Sequence, residues 1–134
     1  MNFNIRCATV ADIDEIYKIE LKSFEFPWNK NTFINELNLN FSRLKVVFEV
    51  NTNKMAGFIN YWILKDEINI LNIAVDPGFR RNGIAEMILN SVIQEADILK
   101  ANRIFLEVRK SNFSAISLYK KMGFLQFGER KKYY

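Results

Sequence analysis

The sequence predicts a mixed α/β fold, with an antiparallel sheet in the first half and helical crossovers in the second. Three β-rich runs, 43–50, 55–64 and 68–75, are separated only by Asn51-Thr52-Asn53 and Lys65-Asp66-Glu67. Turns this short join antiparallel neighbours. Beyond residue 75, strand and helix patterns alternate, which favours right-handed crossovers and parallel pairing. The 134 residues are 49% hydrophobic and 25% charged. That composition can fill one core, and no repeat or Pro/Gly/Ser-rich linker divides the chain, so residues 1–134 read as a single domain.

Each element has a local justification. Cys7 lies in an apparent first strand and is expected to be a small buried residue. Thr9 followed by Asp12 resembles a capping box, and Ile13, Ile16, Tyr17 and Leu21 then recur at helical spacing, which predicts a helix over about 10–23. Phe26-Pro27-Trp28 interrupts it, because proline disfavours helix at the residue before it. Phe33 and Leu37 suggest a short second helix after Asn29. Ala85, Ile88, Leu89, Val92, Ala96 and Leu99 follow the i, i+3, i+4, i+7 pattern of a long amphipathic helix beginning near Gly83. Residues 103–108 form the next strand. Ala115, Leu118, Tyr119 and Met122 mark another helix, for which Gly123 is a suitable left-handed terminator, and 124–130 reads as a further strand.

The missing residue types restrict the chemistry. There is no histidine and a single cysteine, Cys7, which excludes an imidazole-based hydrolase, a histidine-ligated metal site and a disulfide framework within this sequence. Acid–base work falls to carboxylates, tyrosines, lysines, the thiol or water. Charged residues such as Arg6, Asp12, Asp14 and Glu15 interrupt the N-terminal region, and no stretch approaches the ~20 apolar residues of a membrane span. A soluble, cytoplasmic protein is expected. The formal net charge of +4 suits an anionic partner, but Lys and Arg form no continuous stripe and no aromatic–basic RNA signature is present.

Three places could carry chemistry. Arg80-Arg81-Asn82-Gly83-Ile84-Ala85 lies between a strand and the start of the long helix, where free N–H groups, the helix dipole and a glycine permit close approach of a pyrophosphate. It could equally be a basic turn before an ordinary helix. Strand alternation puts Ile104, Leu106 and Val108 on one face and Phe105 and Glu107 on the other. Glu107 is thus either a general base facing a cleft or a surface carboxylate paired with Arg103 or Arg109. Tyr119 shares the stripe of its helix with core residues and can be a core aromatic, yet its phenol can also protonate a departing thiolate. Asn112 is most simply the N-cap of that helix.

Ile73-Ala74-Val75-Asp76-Pro77, the 80–85 loop, Leu106-Glu107-Val108-Arg109, Asn112, Leu118-Tyr119 and Met122-Gly123-Phe124 together resemble the GCN5-related N-acetyltransferase (GNAT) superfamily. The likeness covers nearly the whole chain; Phe26-Pro27-Trp28 and the closing Arg130-Lys131-Lys132-Tyr133-Tyr134 narrow it to enzymes that modify protein N-termini. The resemblance implies a mostly antiparallel sheet with splayed parallel fourth and fifth strands and flanking helices. It implies acetyl-CoA as co-substrate and no metal. The backbone of Ile73, Ala74 and Val75 would take the pantetheine arm and acetyl carbonyl. Arg80, Arg81, Asn82, Gly83, Ile84, Ala85 and Glu86 would hold the pyrophosphate, and Asn112 the coenzyme arm. Glu107 would be the general base and Tyr119 the general acid, while Phe26, Trp28 and Tyr133 would line the acceptor side. The implied reaction is direct attack by a protein N-terminal α-amine, that of the N-terminal alanine of a small-subunit ribosomal protein. A small amine or lysine acceptor, or a coenzyme-binding subunit without catalysis, are the other readings. Relatives continue into a final strand that this sequence lacks, so a homo-oligomer closing the sheet is a further expectation, whereas membrane and direct nucleic-acid partners are not expected.

Overall fold

The computed structural model describes residues 2–106 and 113–123, with backbone alone for 113–116. Among these residues, β1 (Phe3–Cys7), β2 (Ser42–Glu49), β3 (Met55–Leu64), β4 (Glu67–Val75) and β5 (Arg103–Leu106) form one sheet in that spatial order. The first four strands are antiparallel neighbours and β4–β5 is parallel, as expected from the short turns and the later crossover. Helices α1 (Ile13–Ser23) and α2 (Lys30–Leu37) cover one face. Helices α3 (Ile84–Leu99) and α4 (Phe113–Lys121) cover the other. Residues 107 and 108 of the expected 103–108 strand, and the expected strand at 124–130, lie outside the described residues.

Local signals account for most boundaries. Asp12 accepts the Thr9 backbone N–H at 2.8 Å and a two-pronged contact from Arg6 at 2.8 and 2.9 Å, which fixes the entry to α1. The Asp12 carboxyl is held below the usual carboxylate range, first by Arg6. Asn29 caps α2 by accepting the Thr32 N–H at 2.9 Å. Gly123 takes φ 98° after α4, the left-handed conformation suited to glycine.

Each face of the sheet has its own apolar cluster. Ile13, Ile16, Ile19 and Phe33 pack on Leu44, Val46, Phe58 and Ala74, and Phe33 meets Phe58 edge-on at 5.5 Å. On the opposite face Ile84, Ile88, Leu89, Val92 and Ala96 of α3 pack with Ile59, Tyr61, Ile68 and Ile70. Burying one such side chain contributes about 1.5–3 kcal/mol. The exposed ion pairs, each contributing at most about 1 kcal/mol, are secondary.

Three expectations are corrected. Leu21 and Tyr17 do not belong to the buried stripe of α1: Leu21 is 49% exposed, and Ile19 and Glu20 take the inner positions. Leu99 is 47% exposed because α3 outruns the sheet it covers, and Ala85 is only half-buried. Cys7 is exposed, since β1 is an edge strand and its last residue lies at the rim of the layer.

Gly57 of β3 sits where a Cβ would come within 2.7 Å of the Ala74 carbonyl oxygen. Gly57→Ala should therefore push β3 from β4 and cost about 1–3 kcal/mol. Urea denaturation reads this directly; an unchanged midpoint would show that the two strands separate without penalty.

Candidate active site

The site is organised around the second half of β4. Asn60 of β3 pairs with Asn72 but the next residue, Tyr61, pairs with Ile70, so Leu71 is an extra residue in β4. Such a bulge bends its strand and reverses which side chains face which side. Ile68 and Ile70 face the α3 cluster, and strict alternation would send Asn72 and Ala74 there too. Instead Asn72 and Ala74 face α1, and Ile73 and Val75 pack towards α3. The bulge follows immediately on Ile70–Leu106, the last described pair of the β4–β5 ladder.

Beyond Val75 the chain makes a tight turn. Asp76 donates its backbone N–H to the Ala56 carbonyl at 2.8 Å and accepts the Gly78 N–H at 2.8 Å. Asn82 donates its side-chain N–H to the Phe79 carbonyl at 3.0 Å. Arg81 and Gly83 both adopt left-handed φ values, 68° and 71°, and α3 begins at Ile84. The Met87 N–H reaches the Gly83 carbonyl at 3.0 Å, so the N–H groups of Ile84, Ala85 and Glu86 lie ahead of the helical ladder. Arg80, Arg81, Asn82 and Gly83 are exposed beside them. Backbone donors, a positive helix end and two guanidinium groups make this rim suitable for a pyrophosphate. Glu86 is 3.9 Å from Lys121, which links the start of α3 to the end of α4.

Tyr119 of α4 is 8% exposed and belongs to the apolar cluster against which Ile73 and Val75 pack. Burial pushes its phenol up to about 12. The group is thus a proton donor that stays protonated at neutral and mildly alkaline pH. Its ionisation also opposes folding: as pH rises above about 10 the unfolded phenol ionises while the buried one does not, so stability falls from there towards about 12.

On the α1 side, Phe26 and Trp28 lie on the α1–α2 connection. Phe26 is 79% exposed, whereas Trp28 packs on Phe33 with ring centroids 5.3 Å apart. The Trp28 backbone N–H donates to Glu20 Oε2 at 2.8 Å, and Asn72 Nδ2 donates to Glu20 Oε1 at 2.8 Å. Lys22 is 3.4 Å from Asp76. A second buried network runs from Asn60 Nδ2 to Ser42 Oγ and from Ser42 and Trp62 Nε1 to Glu36 Oε1. Sequence reasoning missed Glu20, Asn72 and this network. The available signal was Glu20 itself, four residues after Ile16 and seven after Ile13, a carboxylate on the apolar stripe.

The structure therefore places Ile73, Ala74 and Val75 at the end of β4, the 80–86 loop just after it, and Trp28 one side chain away from it through Glu20, while Tyr119 belongs to the apolar cluster against which Ile73 and Val75 pack. Glu107, Asn112 and Tyr133 lie outside the described residues. Among the described residues no group of three or more Cys, Asp or Glu side chains could hold a metal, and no helix is long and apolar enough to cross a membrane.

The left-handed pair gives a stability test. An L-residue in that conformation costs about 1–2 kcal/mol, so Arg81→Gly should leave stability unchanged or raise it slightly, and Gly83→Ala should lower it by about 1 kcal/mol. Thermal denaturation distinguishes the two directions; a large loss in Arg81→Gly would show that the side chain, not the backbone, determines this turn.

Residues 13–124 match the acetyltransferase (GNAT) family. A Bacillus subtilis relative is 38% identical over 130 residues, 97% of this chain and 85% of its own. The [ribosomal protein bS18]-alanine N-acetyltransferase of Salmonella typhimurium is 34% identical over 130 residues, 97% of this chain and 86% of its own. The crystal structure of the ribosomal-protein-S18-alanine N-acetyltransferase from Escherichia coli superposes with a TM-score of 0.86 at 31% identity, covering 95% of this chain and 80% of that one. With the sheet order, the parallel β4–β5 pair and the turn into α3 all in agreement, the chain belongs to the acetyltransferase (GNAT) family, whose members take their acetyl group from acetyl-CoA.

Proposed function

We propose that this protein transfers the acetyl group of acetyl-CoA to a protein N-terminal α-amine, that of the N-terminal alanine of ribosomal protein bS18. The observation that carries the reading is near-full-length similarity to the Salmonella typhimurium enzyme of that specificity. The geometry supports it. The 80–86 turn offers donors for the pyrophosphate, and the β4 backbone at Ile73–Val75 runs from it towards the acceptor loop at Phe26–Trp28.

The chemistry is within reach of this residue set. An α-amine has a pKa near 8, so about a tenth is neutral at pH 7, whereas a lysine amine near 10.4 is neutral to well under about 0.1%. Glu107, acting directly or through water, removes the remaining proton. The neutral nitrogen attacks the thioester carbonyl, the C–S bond breaks, Tyr119 delivers its proton to the coenzyme thiolate, and the proton that the nitrogen sheds on becoming an amide returns through water to the Tyr119 phenolate. Alignment and polarisation of the carbonyl by backbone N–H groups lower the barrier, and no covalent enzyme intermediate forms. The family resemblance assigns Tyr133 to the acceptor side with Phe26 and Trp28, and Asn112 to the coenzyme arm.

Glu107→Gln and Tyr119→Phe should each lower turnover on an N-terminal alanine peptide by about 10²–10⁴-fold, with acetyl-CoA affinity largely retained. Mass spectrometry of the peptide, with calorimetry for the coenzyme, reads both; unchanged turnover in the two variants would remove these assignments. The pH profile adds a sign. With Tyr119 raised to about 12, turnover should rise as the amine deprotonates through pH ~8 and show no loss from Tyr119 ionisation up to about pH 10. A fall below pH 10 that disappears in Tyr119→Phe would contradict the donor role at that pKa.

A further inference from the structure

Glu20 is fully buried, on a stripe otherwise made of Ile13, Ile16 and Ile19. Nothing in the packing of that stripe requires a carboxylate. A Leu or Met would occupy a similar volume, and replacing buried charged groups by apolar ones of like shape is often neutral or stabilising. What an apolar residue could not do is join two segments. One Glu20 oxygen accepts the backbone N–H of Trp28, eight residues on, and the other accepts the side-chain N–H of Asn72, fifty-two residues on, each at 2.8 Å. The first partner belongs to the α1–α2 connection. The second is the β4 residue that the bulge turns towards α1, immediately before Ile73. Hydrogen bonds to a charged acceptor are about twice as strong as neutral ones, and strongest where water is excluded.

We propose that Glu20 is a positioning residue for the acceptor, a buried strut that ties the Phe26–Trp28 loop to the acetyl-bearing stretch of β4 and so sets the distance between amine and thioester. The inference rests on the functional reading above. It gives the buried carboxylate a role in acceptor affinity and alignment, not in proton transfer: Glu20 touches neither reacting atom and acts through Trp28 and Asn72. Because Trp28 and Asn72 both donate to it, the strut has a polarity that can be broken and restored. In Asn72→Asp, residue 72 turns a carboxylate towards Glu20 and no donor remains between the two side chains. Adding Glu20→Gln returns a donor opposite that carboxylate, while the oxygen of the new amide still accepts the Trp28 N–H.

The test is steady-state acetylation of an N-terminal alanine peptide by the full chain, with acetyl-CoA binding measured separately. Asn72→Asp should raise the peptide KM about tenfold, as expected for one lost charge-assisted hydrogen bond, and change the acetyl-CoA Kd less than about twofold. Asn72→Asp with Glu20→Gln should recover most of the peptide KM. Where Asn72→Asp does not fold, Asn72→Ala removes the same donor without adding a charge and should shift the peptide KM in the same direction. Equal losses for both substrates, an unmoved peptide KM, or no recovery in the paired variant would overturn the strut. Should the native chain acetylate no α-amine, the functional reading fails, and the anchor itself is then read by hydrogen exchange. The Trp28 amide should exchange about tenfold faster in Glu20→Leu, which leaves no acceptor for it, and unchanged exchange would overturn the strut independently.

Discussion

The extra residue at Leu71 is the constraint on which the arrangement of the site depends. A strand buried on both faces must send alternate side chains to opposite layers, and one inserted residue exchanges the two sets. Before the bulge, Ile68 and Ile70 anchor β4 to α3. After it, Ile73 and Val75 take over that contact and Asn72 is delivered to α1. The same residue follows directly on Ile70–Leu106, the last described β4–β5 pair.

The two layers then divide the chemistry. On the α3 and α4 side Tyr119 lies in an apolar cluster, and burial raises its phenol to about 12. Tyr61, on the same side, is raised as well, by burial and then by donating to the Glu95 carboxylate, which fastens α3 to β3. The α1 and α2 side, by contrast, carries buried polar groups in connected networks around Glu20 and Glu36. In each network the carboxylate oxygens face side-chain or backbone donors, which is what permits carboxylates to remain inside, although the buried Asn60 Oδ1 accepts no hydrogen bond among the described residues.

The sheet order was legible in the sequence because turn length leaves few choices. Two residues between Leu64 and Glu67, with Lys65 at φ 52°, can only return the chain antiparallel. The turn before α3 was legible because a glycine and the start of an apolar stripe are both visible as residue types. The buried face of α1 was misjudged because hydrophobicity placed Leu21 inside and Glu20 outside, whereas the Trp28 N–H and the Asn72 amide make the reverse arrangement favourable. Cys7 was misjudged because a small thiol is usually buried, and nothing local reports that β1 ends at an edge.

The sequence by itself determined the described elements and their order, and its lack of histidine narrowed the chemistry, since periodicity, turn length and residue content are local or compositional properties. Only the tertiary structure decided which groups meet. The partners of Glu20 are eight and fifty-two residues away, and the facing of Asn72 depends on a register shift between two strands. Neither is written in any single segment: a hydrogen bond between distant residues exists only once packing has set their distance, and a bulge is a property of a strand pair, not of one strand.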